Sequence, residues 1–316
     1  MRRDPIVRLF AALTGLAMLA STALAEEVQL EIQGLTALGN LELAKNKSLK
    51  ADGAVLLLHG TLAHNRMEIL SAQQELLREK GVNSLAITLS LGLNERRGLF
   101  DCNLEQDHRN EDASVEIAAW VEWLKSQGAA NITLAGHSRG GNQAAIYAAK
   151  QPDASVKRLV LIAPSADTTP RMAEDYSQRF KQPLEPILAE AEKLVAEDQS
   201  TTLLTDIPFL YCERAKVTAG AFVNYYGQNQ NLYTPSLLPH IKLPILVVVG
   251  DLDPLSNELV PAIQGIPNAA NIKLETIQGA DHFFRDLAAE DLSDQIKAFI
   301  GENKEPPKCR PALIDC

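Results

Sequence analysis

Short continuous apolar segments alternate with amphipathic segments along most of this chain. Continuous apolar segments are typical of strands buried on both faces, and amphipathic segments are typical of helices that cover a sheet. The alternation therefore predicts an α/β fold with a mostly parallel, doubly wound sheet. The predicted strands lie at 54–59, 82–89, 131–136, 156–164, 243–250 and 271–277, and the predicted helices at 67–80, 114–128, 141–150, from about 257, and 286–300.

The pattern differs in two regions. Before the alternation, VQLEI and NLELA predict two half-buried strands around a turn region from Gly34 to Gly39. Between about Asp167 and His240 there are many prolines, helical stretches such as LEPILAEAEKLVAED, and no strong strand pattern. Because the sheet pattern then resumes, the segment 167–240 is predicted to be a helical cap inserted between two strands rather than a second domain.

The N-terminus has the pattern of a secretory signal. Basic residues precede the apolar stretch LFAALTGLAMLASTALA, which ends in an A-x-A sequence. An uncleaved anchor is the alternative, but the stretch is short for a membrane span. Residues 1–25 are thus predicted to be a cleaved signal peptide, which leaves a domain at 26–301, a tail at 302–316, and a periplasmic or secreted protein. The sequence does not decide between general and twin-arginine export.

The net charge of the chain bears on which kinds of molecule it can bind. The 316 residues carry a formal net charge of −10, and removal of the basic signal makes the chain more acidic. This charge disfavours binding to nucleic acid or anionic lipid. Beyond the signal no apolar segment is long enough to cross a bilayer, so no membrane span is predicted for the mature protein.

The four cysteines are Cys102, Cys212, Cys309 and Cys316. An even number in an exported chain predicts disulfides, and four cysteines allow three pairings. The last two lie in the Pro-rich tail KEPPKCRPALIDC, which a bridge within the tail or to the domain would fix. The pairing stays open. No C-x-x-C pattern indicates a zinc site.

A G-x-S-x-G pattern lies between a predicted strand and a predicted helix. Gly136, His137, Ser138, Arg139 and Gly140 form it. In this context the serine occupies a sharp strand-to-helix turn, and its hydroxyl projects at the carboxyl edge of the sheet, where open α/β folds bind ligands. A plain tight turn is the alternative for so short a pattern. The context predicts that Ser138 is a nucleophile.

A serine nucleophile needs a base, and the base needs a carboxylate to orient it. Among the six histidines, His282 in IQGADHFFRD follows the last predicted strand and so lies at the same sheet edge as the serine. Asp251 and Asp253 follow the strand at 243–250, and the residues alone do not choose between them. Asp281, next to the histidine, is the less favoured partner.

Four motifs together resemble the α/β-hydrolase family over most of the mature chain: LLLHG (56–60), GHSRGG (136–141), VVVGDLDP (247–254) and GADHFF (279–284). The resemblance implies the α/β-hydrolase fold and a catalytic triad in the order Ser138, Asp253, His282. The family places its acid three residues after the glycine that ends the strand, which favours Asp253 and leaves Asp251 as the fallback.

The resemblance also implies an oxyanion hole made of backbone N–H groups. One would come from Arg139 and the other from Thr61, with Leu62 as an alternative, while His59 would hold that loop. The implied chemistry is two-step acyl transfer on a small-molecule acyl substrate, with no cofactor and no metal.

Two further features bear on specificity. The cap aromatics would either line an acyl pocket or pack the cap onto the domain; they are Phe180, Phe209, Tyr211, Phe222, Tyr225, Tyr226 and Tyr233. In FDCNLEQDHRNED, Asp107, His108 and Asp112 suggest a hard-metal site, but their spacing fits no calcium loop and polar residues commonly cap the next helix. That loop is expected to rim the pocket.

Three functions are consistent with these patterns. The favoured one is an exported serine hydrolase of carboxylic esters, with thioesters or amides as variants. A catalytically silent binding member of the fold is the second, although the complete triad argues against it. A lipase at a membrane surface is the third, and the charges in AEAEKLVAEDQ argue against an apolar cap face.

Overall fold

The computed structural model describes residues 25–150 and 152–302. Most of the predicted signal peptide and of the predicted tail therefore lies outside the described residues. The strands are β1 (Glu26–Ile32), β2 (Leu35–Glu42), β3 (Ala54–Leu58), β4 (Ser84–Thr88), β5 (Glu105–Gln106), β6 (Ile132–His137), β7 (Val156–Ile162), β8 (Leu203–Phe209), β9 (Cys212–Thr218), β10 (Ile245–Gly250) and β11 (Ile272–Ile277). The α-helices are α1 (Leu49–Asp52), α2 (Glu68–Glu79), α3 (Ala113–Ser126), α4 (Arg139–Lys150), α5 (Thr169–Phe180), α6 (Glu185–Ala196), α7 (Ala219–Tyr226), α8 (Thr234–Leu237), α9 (Ser256–Gln264) and α10 (Leu287–Gly301).

Within the described part of the chain, eight strands form one sheet in the order β1-β2-β4-β3-β6-β7-β10-β11. The first two strands pair antiparallel, β2 pairs antiparallel with β4, and the remaining pairs are parallel. Helices α3, α4 and α9 pack on one face, and α2 and α10 pack on the other. The predicted mostly parallel, doubly wound α/β fold is confirmed.

Strand β3 explains why the sequence shows unbroken apolar segments. All five of its residues are buried. Leu56 and Leu58 join the core under α3 and α4, whereas Val55 and Leu57 join the core under α2 and α10. A strand covered on both faces needs an apolar side chain at every position, so a polar alternation would leave one core incomplete.

The N-terminal hairpin is tighter than the sequence suggested. Its turn lies at Gln33 and Gly34, and Gly39 lies inside β2. A Cβ at Gly39 would lie 2.9 Å from Leu85 Cδ1 and 3.1 Å from the ring of Trp120. The glycine is therefore needed for close strand packing rather than for the predicted turn.

The segment between β7 and β10 is not purely helical. It contains α5, α6, α7 and α8, but β8 and β9 form an antiparallel hairpin, and β5 pairs parallel with β9 to complete a three-stranded sheet. The expectation that 167–240 lacks strands is wrong over 203–218. The register of β8 shifts around Asp206, which has a φ of 59°, so its sequence has no regular alternation.

A disulfide joins the cap hairpin to the loop between β4 and β5. Cys102, just before β5, is bonded to Cys212 in β9. Cys309 and Cys316 lie outside the described residues, so their predicted pairing stays a prediction. The cap has its own apolar core, which includes Leu62 and Phe100 from loops of the main domain. None of the helices described is long and apolar enough to span a bilayer.

Candidate active site

Ser138 occupies the turn between β6 and α4. Its φ is 55°, a left-handed conformation that is costly for a residue with a Cβ. The Ser138 N–H donates to Ile162 O at 2.9 Å, and Ser138 O accepts from Gly141 N and Ser165 N. Neighbouring strand and helix backbones thus fix the turn, and the structure gives the serine the strained presentation that the sequence pattern predicted.

The glycines around the serine allow backbones to approach closely. A Cβ at Gly136 would lie 2.2 Å from Gly140 O, and a Cβ at Gly140 would lie 2.3 Å from His59 O. Neither side chain could be accommodated without moving a backbone. The turn is therefore packed against the loop that follows β3, which carries the predicted oxyanion donor Thr61.

His282 and Asp253 form a hydrogen-bonded pair. His282 Nδ1 lies 2.7 Å from Asp253 Oδ2, and the Leu255 N–H donates to the other carboxylate oxygen at 3.0 Å. Asp253 is 4% exposed, whereas the His282 side chain is 23% exposed. Burial alone would raise the pKa of Asp253, but the bonds from His282 and Leu255 lower the pKa below its ordinary value. The carboxylate thus accepts from Nδ1–H and leaves Nε2 as the basic nitrogen.

The other two aspartates have different partners. Asp251 is exposed and accepts the Gly279 N–H at 2.6 Å. Asp281 accepts from Phe283 N–H and pairs with Arg285 at 2.7 Å. The structure therefore brings Asp253, and not Asp251, to His282.

His137, which the sequence did not single out, joins the histidine loop to the serine turn. Its Nε2 lies 2.9 Å from His282 O, and the two imidazole centroids are 4.9 Å apart. Burial lowers the pKa of His137 to about 3, so the ring is neutral, and a carbonyl can only accept, so Nε2 carries the proton. The sequence could not predict this contact, because His137 and His282 are 145 positions apart.

Among the described residues no hydrogen bond joins the Ser138 hydroxyl to His282. The histidine is instead held beside the serine by His137, which precedes Ser138 in the chain. Catalytic hydrogen bonds are commonly long before substrate binds.

The predicted oxyanion donors are free to bind a ligand. In the described part of the chain, the backbone N–H groups of Thr61, Leu62 and Arg139 have no hydrogen-bond partner. Leu62 has a φ of 57°, which turns the loop sharply after Thr61. The alternative between Thr61 and Leu62 therefore stays open on hydrogen bonding alone.

The Arg139 side chain closes one wall of the site. Its Nε donates to Thr61 Oγ1 at 3.0 Å, and Nη2 pairs with Asp167 at 2.9 Å. Its guanidinium carbon lies 5.2 Å from the centroid of the Tyr225 ring. The pair is largely buried, so it ties the cap to the oxyanion loop.

The cap aromatics both pack and line a cavity. Phe209 and Phe222 are fully buried in the cap core. A cavity of about 120 Å³ lies between the cap and the oxyanion loop. Its lining includes Thr61, Arg139, Phe180, Tyr211, Tyr225 and Tyr226. Tyr225 and Tyr226 do both, since they pack in the cap core and also line the cavity. The use of this cavity as an acyl pocket stays a prediction.

The loop at 100–112 lines a second cavity of about 340 Å³. Asp107 accepts from Thr218 Oγ1, His108 Nδ1 lies 2.9 Å from the Tyr225 hydroxyl, and Asp112 accepts from a backbone N–H. The three side chains thus have separate partners and do not converge. Within the described residues no cluster of three or more His, Cys, Asp or Glu could hold a metal ion.

Comparison with known proteins gives a family match and a relative of known activity. The model of the alpha/beta hydrolase family matches residues 55–295. The chain is 26% identical over 217 residues to a bifunctional esterase/perhydrolase of Acinetobacter calcoaceticus, which covers 62% of this chain and 74% of the relative.

Two solved structures show the same fold. Est1E from Butyrivibrio proteoclasticus superposes with a TM-score of 0.60 at 21% identity, over 87% of this chain and 97% of Est1E. A dienelactone hydrolase from Anabaena variabilis has a TM-score of 0.53 at 17% identity, over 88% and 96% of the two chains. With the esterase relative, the family match identifies a carboxylesterase-like hydrolase. It covers well over half of the sequence and includes every residue of the site above, so the chain belongs to the α/β hydrolase family.

Proposed function

We propose that this protein is an exported serine hydrolase of small carboxylic esters, with Ser138 as nucleophile, His282 as general base and Asp253 as the carboxylate that holds the histidine tautomer. The observation that carries the proposal is the 2.7 Å bond between His282 Nδ1 and the buried Asp253, at the sheet edge where Ser138 has its left-handed φ. Thioesters and amides are variants of the same chemistry.

The proposed reaction has two steps. His282 Nε2 takes the Ser138 proton as Oγ attacks the ester carbonyl, and the oxyanion accepts hydrogen bonds from the N–H groups of Thr61 and Arg139. The tetrahedral species expels the alcohol, which takes the proton from His282 and leaves an acyl-serine. Water then gives a proton to His282, attacks the acyl carbon and releases the acid, and Ser138 recovers its proton.

The cavity between the cap and the oxyanion loop supports a preference for a compact acyl group, because it lies against Thr61 and Arg139. Its volume of about 120 Å³ is small beside the 300–1,000 Å³ typical of drug-sized ligands. Its tyrosines offer flat faces and hydroxyls, and the structural relative Est1E has been solved with ferulic acid bound. We expect p-nitrophenyl acetate and butyrate to have at least about tenfold higher kcat/KM than the palmitate, with methyl ferulate as the aromatic probe.

The Cys102–Cys212 disulfide supports export, since such bonds persist in oxidising compartments. Cell fractionation followed by mass spectrometry of the mature N-terminus tests this part. Cleavage after Ala25 is expected, and an intact N-terminus in the cytosolic fraction would contradict it.

Labelling with a fluorophosphonate probe tests the enzyme proposal. Wild-type protein is expected to be labelled, and Ser138→Ala and His282→Ala are expected to lose labelling and p-nitrophenyl acetate hydrolysis. The exposed residues Ser126 and His240 give matched controls, so Ser126→Ala and His240→Ala should behave as wild type. Folded wild-type protein that is neither labelled nor active would favour a silent binding member of the family.

A further inference from the structure

Three carbonyl groups of the loop at 60–63 accept hydrogen bonds, whereas the N–H groups of Thr61 and Leu62 have no partner among the described residues. Gly60 O accepts from His59 Nδ1 at 2.7 Å and from Ala63 N at 3.2 Å. Leu62 O accepts from the N–H of Phe100 at 2.9 Å, and Ala63 O accepts from a guanidinium N–H at 2.6 Å. The two bonds to Gly60 O fix the orientation of the peptide between Gly60 and Thr61, which also contains the Thr61 N–H.

The neighbours of His59 fix its tautomer. Its Nε2 lies 3.0 Å from Leu89 N and 3.1 Å from Arg96 Nη2. A backbone N–H and a guanidinium can only donate, so Nε2 is an acceptor and Nδ1 carries the proton. Burial and the nearby charge of Arg96 lower the pKa of His59 to about 3, which keeps the ring neutral at ordinary pH. His59 therefore donates from Nδ1 to Gly60 O.

This donation sets the direction of the Thr61 N–H. The peptide between Gly60 and Thr61 is trans, so its C=O and N–H point in opposite directions. With Gly60 O held by His59, the Thr61 N–H points away from the imidazole. Gly60 also lies against the nucleophile, since a Cβ built on it would be 3.3 Å from Ser138 Cβ.

Arg96 contacts both His59 and the loop at 60–63. It is 5% exposed, and its guanidinium donates to the carbonyl groups of Leu89 at 2.7 Å, Gly98 at 2.9 Å and Ala63 at 2.6 Å, besides facing His59. Burial lowers the pKa of Arg96 to about 10, so the group stays charged at neutral pH. A planar fork with several donors meets these acceptors together, which a lysine cannot do.

We propose that Arg96 is a positioning residue for the oxyanion hole, which acts through His59 and Ala63 to orient the Gly60–Thr61 peptide. The inference rests on the proposed function of Ser138 and Thr61. It assigns to a buried arginine, remote from the triad in sequence, control over how well the developing oxyanion is bound.

The test compares Arg96→Met with Arg97→Met. Arg97 is adjacent in sequence but exposed and paired with Glu27, so its variant is a matched control. Removal of one oxyanion donor typically costs about 10²–10³ in kcat, and misorientation should cost part of that. Arg96→Met is therefore expected to lower kcat for p-nitrophenyl acetate by about tenfold to a hundredfold with KM changed less than about twofold, while Arg97→Met keeps the wild-type values.

Two further measurements separate positioning from stability. The first is a double-mutant cycle with His59→Asn, whose amide can still donate to Gly60 O but has no ring nitrogen to accept from Arg96. If Arg96 acts through His59, the double variant should have a kcat less than about threefold below that of His59→Asn alone. The amide ¹⁵N resonance of Thr61 should shift in Arg96→Met and stay in place in Arg97→Met. If Arg96→Met is too unstable, Arg96→Lys carries the test and is expected to lose kcat at unchanged KM, with a smaller deficit.

The outcomes are distinguishable. Wild-type kcat in folded Arg96→Met, or an unmoved Thr61 resonance, overturns the positioning role. Additive losses in the cycle with His59→Asn show that Arg96 does not act through His59. Failure of the proposed function itself has another signature, because wild-type protein would then show no Ser138-dependent hydrolysis in the first place.

Discussion

Asp251 and Asp253 stand two positions apart on one loop, yet the fold gives them different chemistry. Asp253 is buried and bonded to His282, whereas Asp251 is exposed and caps the turn at Gly279. Their sequence context is nearly the same, so residue types alone could not separate them. The difference arises because the loop after β11 places the imidazole over one carboxylate only.

We therefore predict opposite outcomes for two isosteric substitutions. Asp253→Asn should lower kcat by about 10³–10⁴-fold, since an amide no longer holds the Nδ1–H tautomer of His282. Asp251→Asn should stay within about threefold of wild type. Steady-state hydrolysis of p-nitrophenyl acetate at pH 7.5 measures both, and a larger loss in Asp251→Asn would show that the assignment of the acid is wrong.

At the scale of single elements, sequence predicted best where local pattern and packing agree. The strands β3, β6 and β10 lie within about two residues of their predicted bounds because both of their faces are buried. The turn at Ser138 was predictable because its G-x-S-x-G pattern lies between a clear strand pattern and a clear helix pattern. Contacts across long separations were not predictable, such as that between His137 and the His282 carbonyl.

The hairpin of β8 and β9 shows why the cap was harder to predict. Pro208 lies within β8, and a positive φ at Asp206 breaks the register of this strand. On the other side of the hairpin, β9 pairs with β5, which has two residues and lies about a hundred positions earlier. None of these features produces a period of two. The hairpin is defined by its tertiary contacts, including the disulfide at Cys212.

We predict that the Cys102–Cys212 disulfide stabilises the cap. Cys102 and Cys212 are 110 positions apart, and a bridge that closes so long a loop typically contributes about 2–4 kcal/mol to the free energy of unfolding. The double variant Cys102→Ala/Cys212→Ala should lose about that much in urea unfolding. Because the bond fixes the cap while the triad lies on the main sheet, KM should rise more than kcat falls. Unchanged KM with a large loss of kcat would contradict this division.

At the scale of the whole molecule, three histidines are buried within the described residues, and their pKa values are lowered to the same range. Burial lowers the pKa of His59, His108 and His137 to about 3 in each case. An unfolded histidine has a pKa of about 6.5, so between these two values the unfolded chain binds protons that the folded chain does not. Their contribution to stability is complete above about pH 6.5 and is lost as the pH falls toward 3.

We predict that the free energy of unfolding falls steeply as the pH is lowered, with a slope set by the protons that these three histidines bind on unfolding. Near pH 5 the three histidines alone should give a slope of about 4 kcal/mol per pH unit in the free energy of unfolding, because each proton contributes about 1.4 kcal/mol per unit. His108 packs against Phe100, Phe209 and Tyr225, so His108→Phe keeps an aromatic ring there and removes one titrating group. Urea unfolding between pH 4.5 and 6 should show the slope reduced by about one proton in this variant, whereas between pH 7.5 and 8.5 the slopes of variant and wild type should coincide. Equal slopes in the acidic window would mean that His108 is protonated in the folded protein.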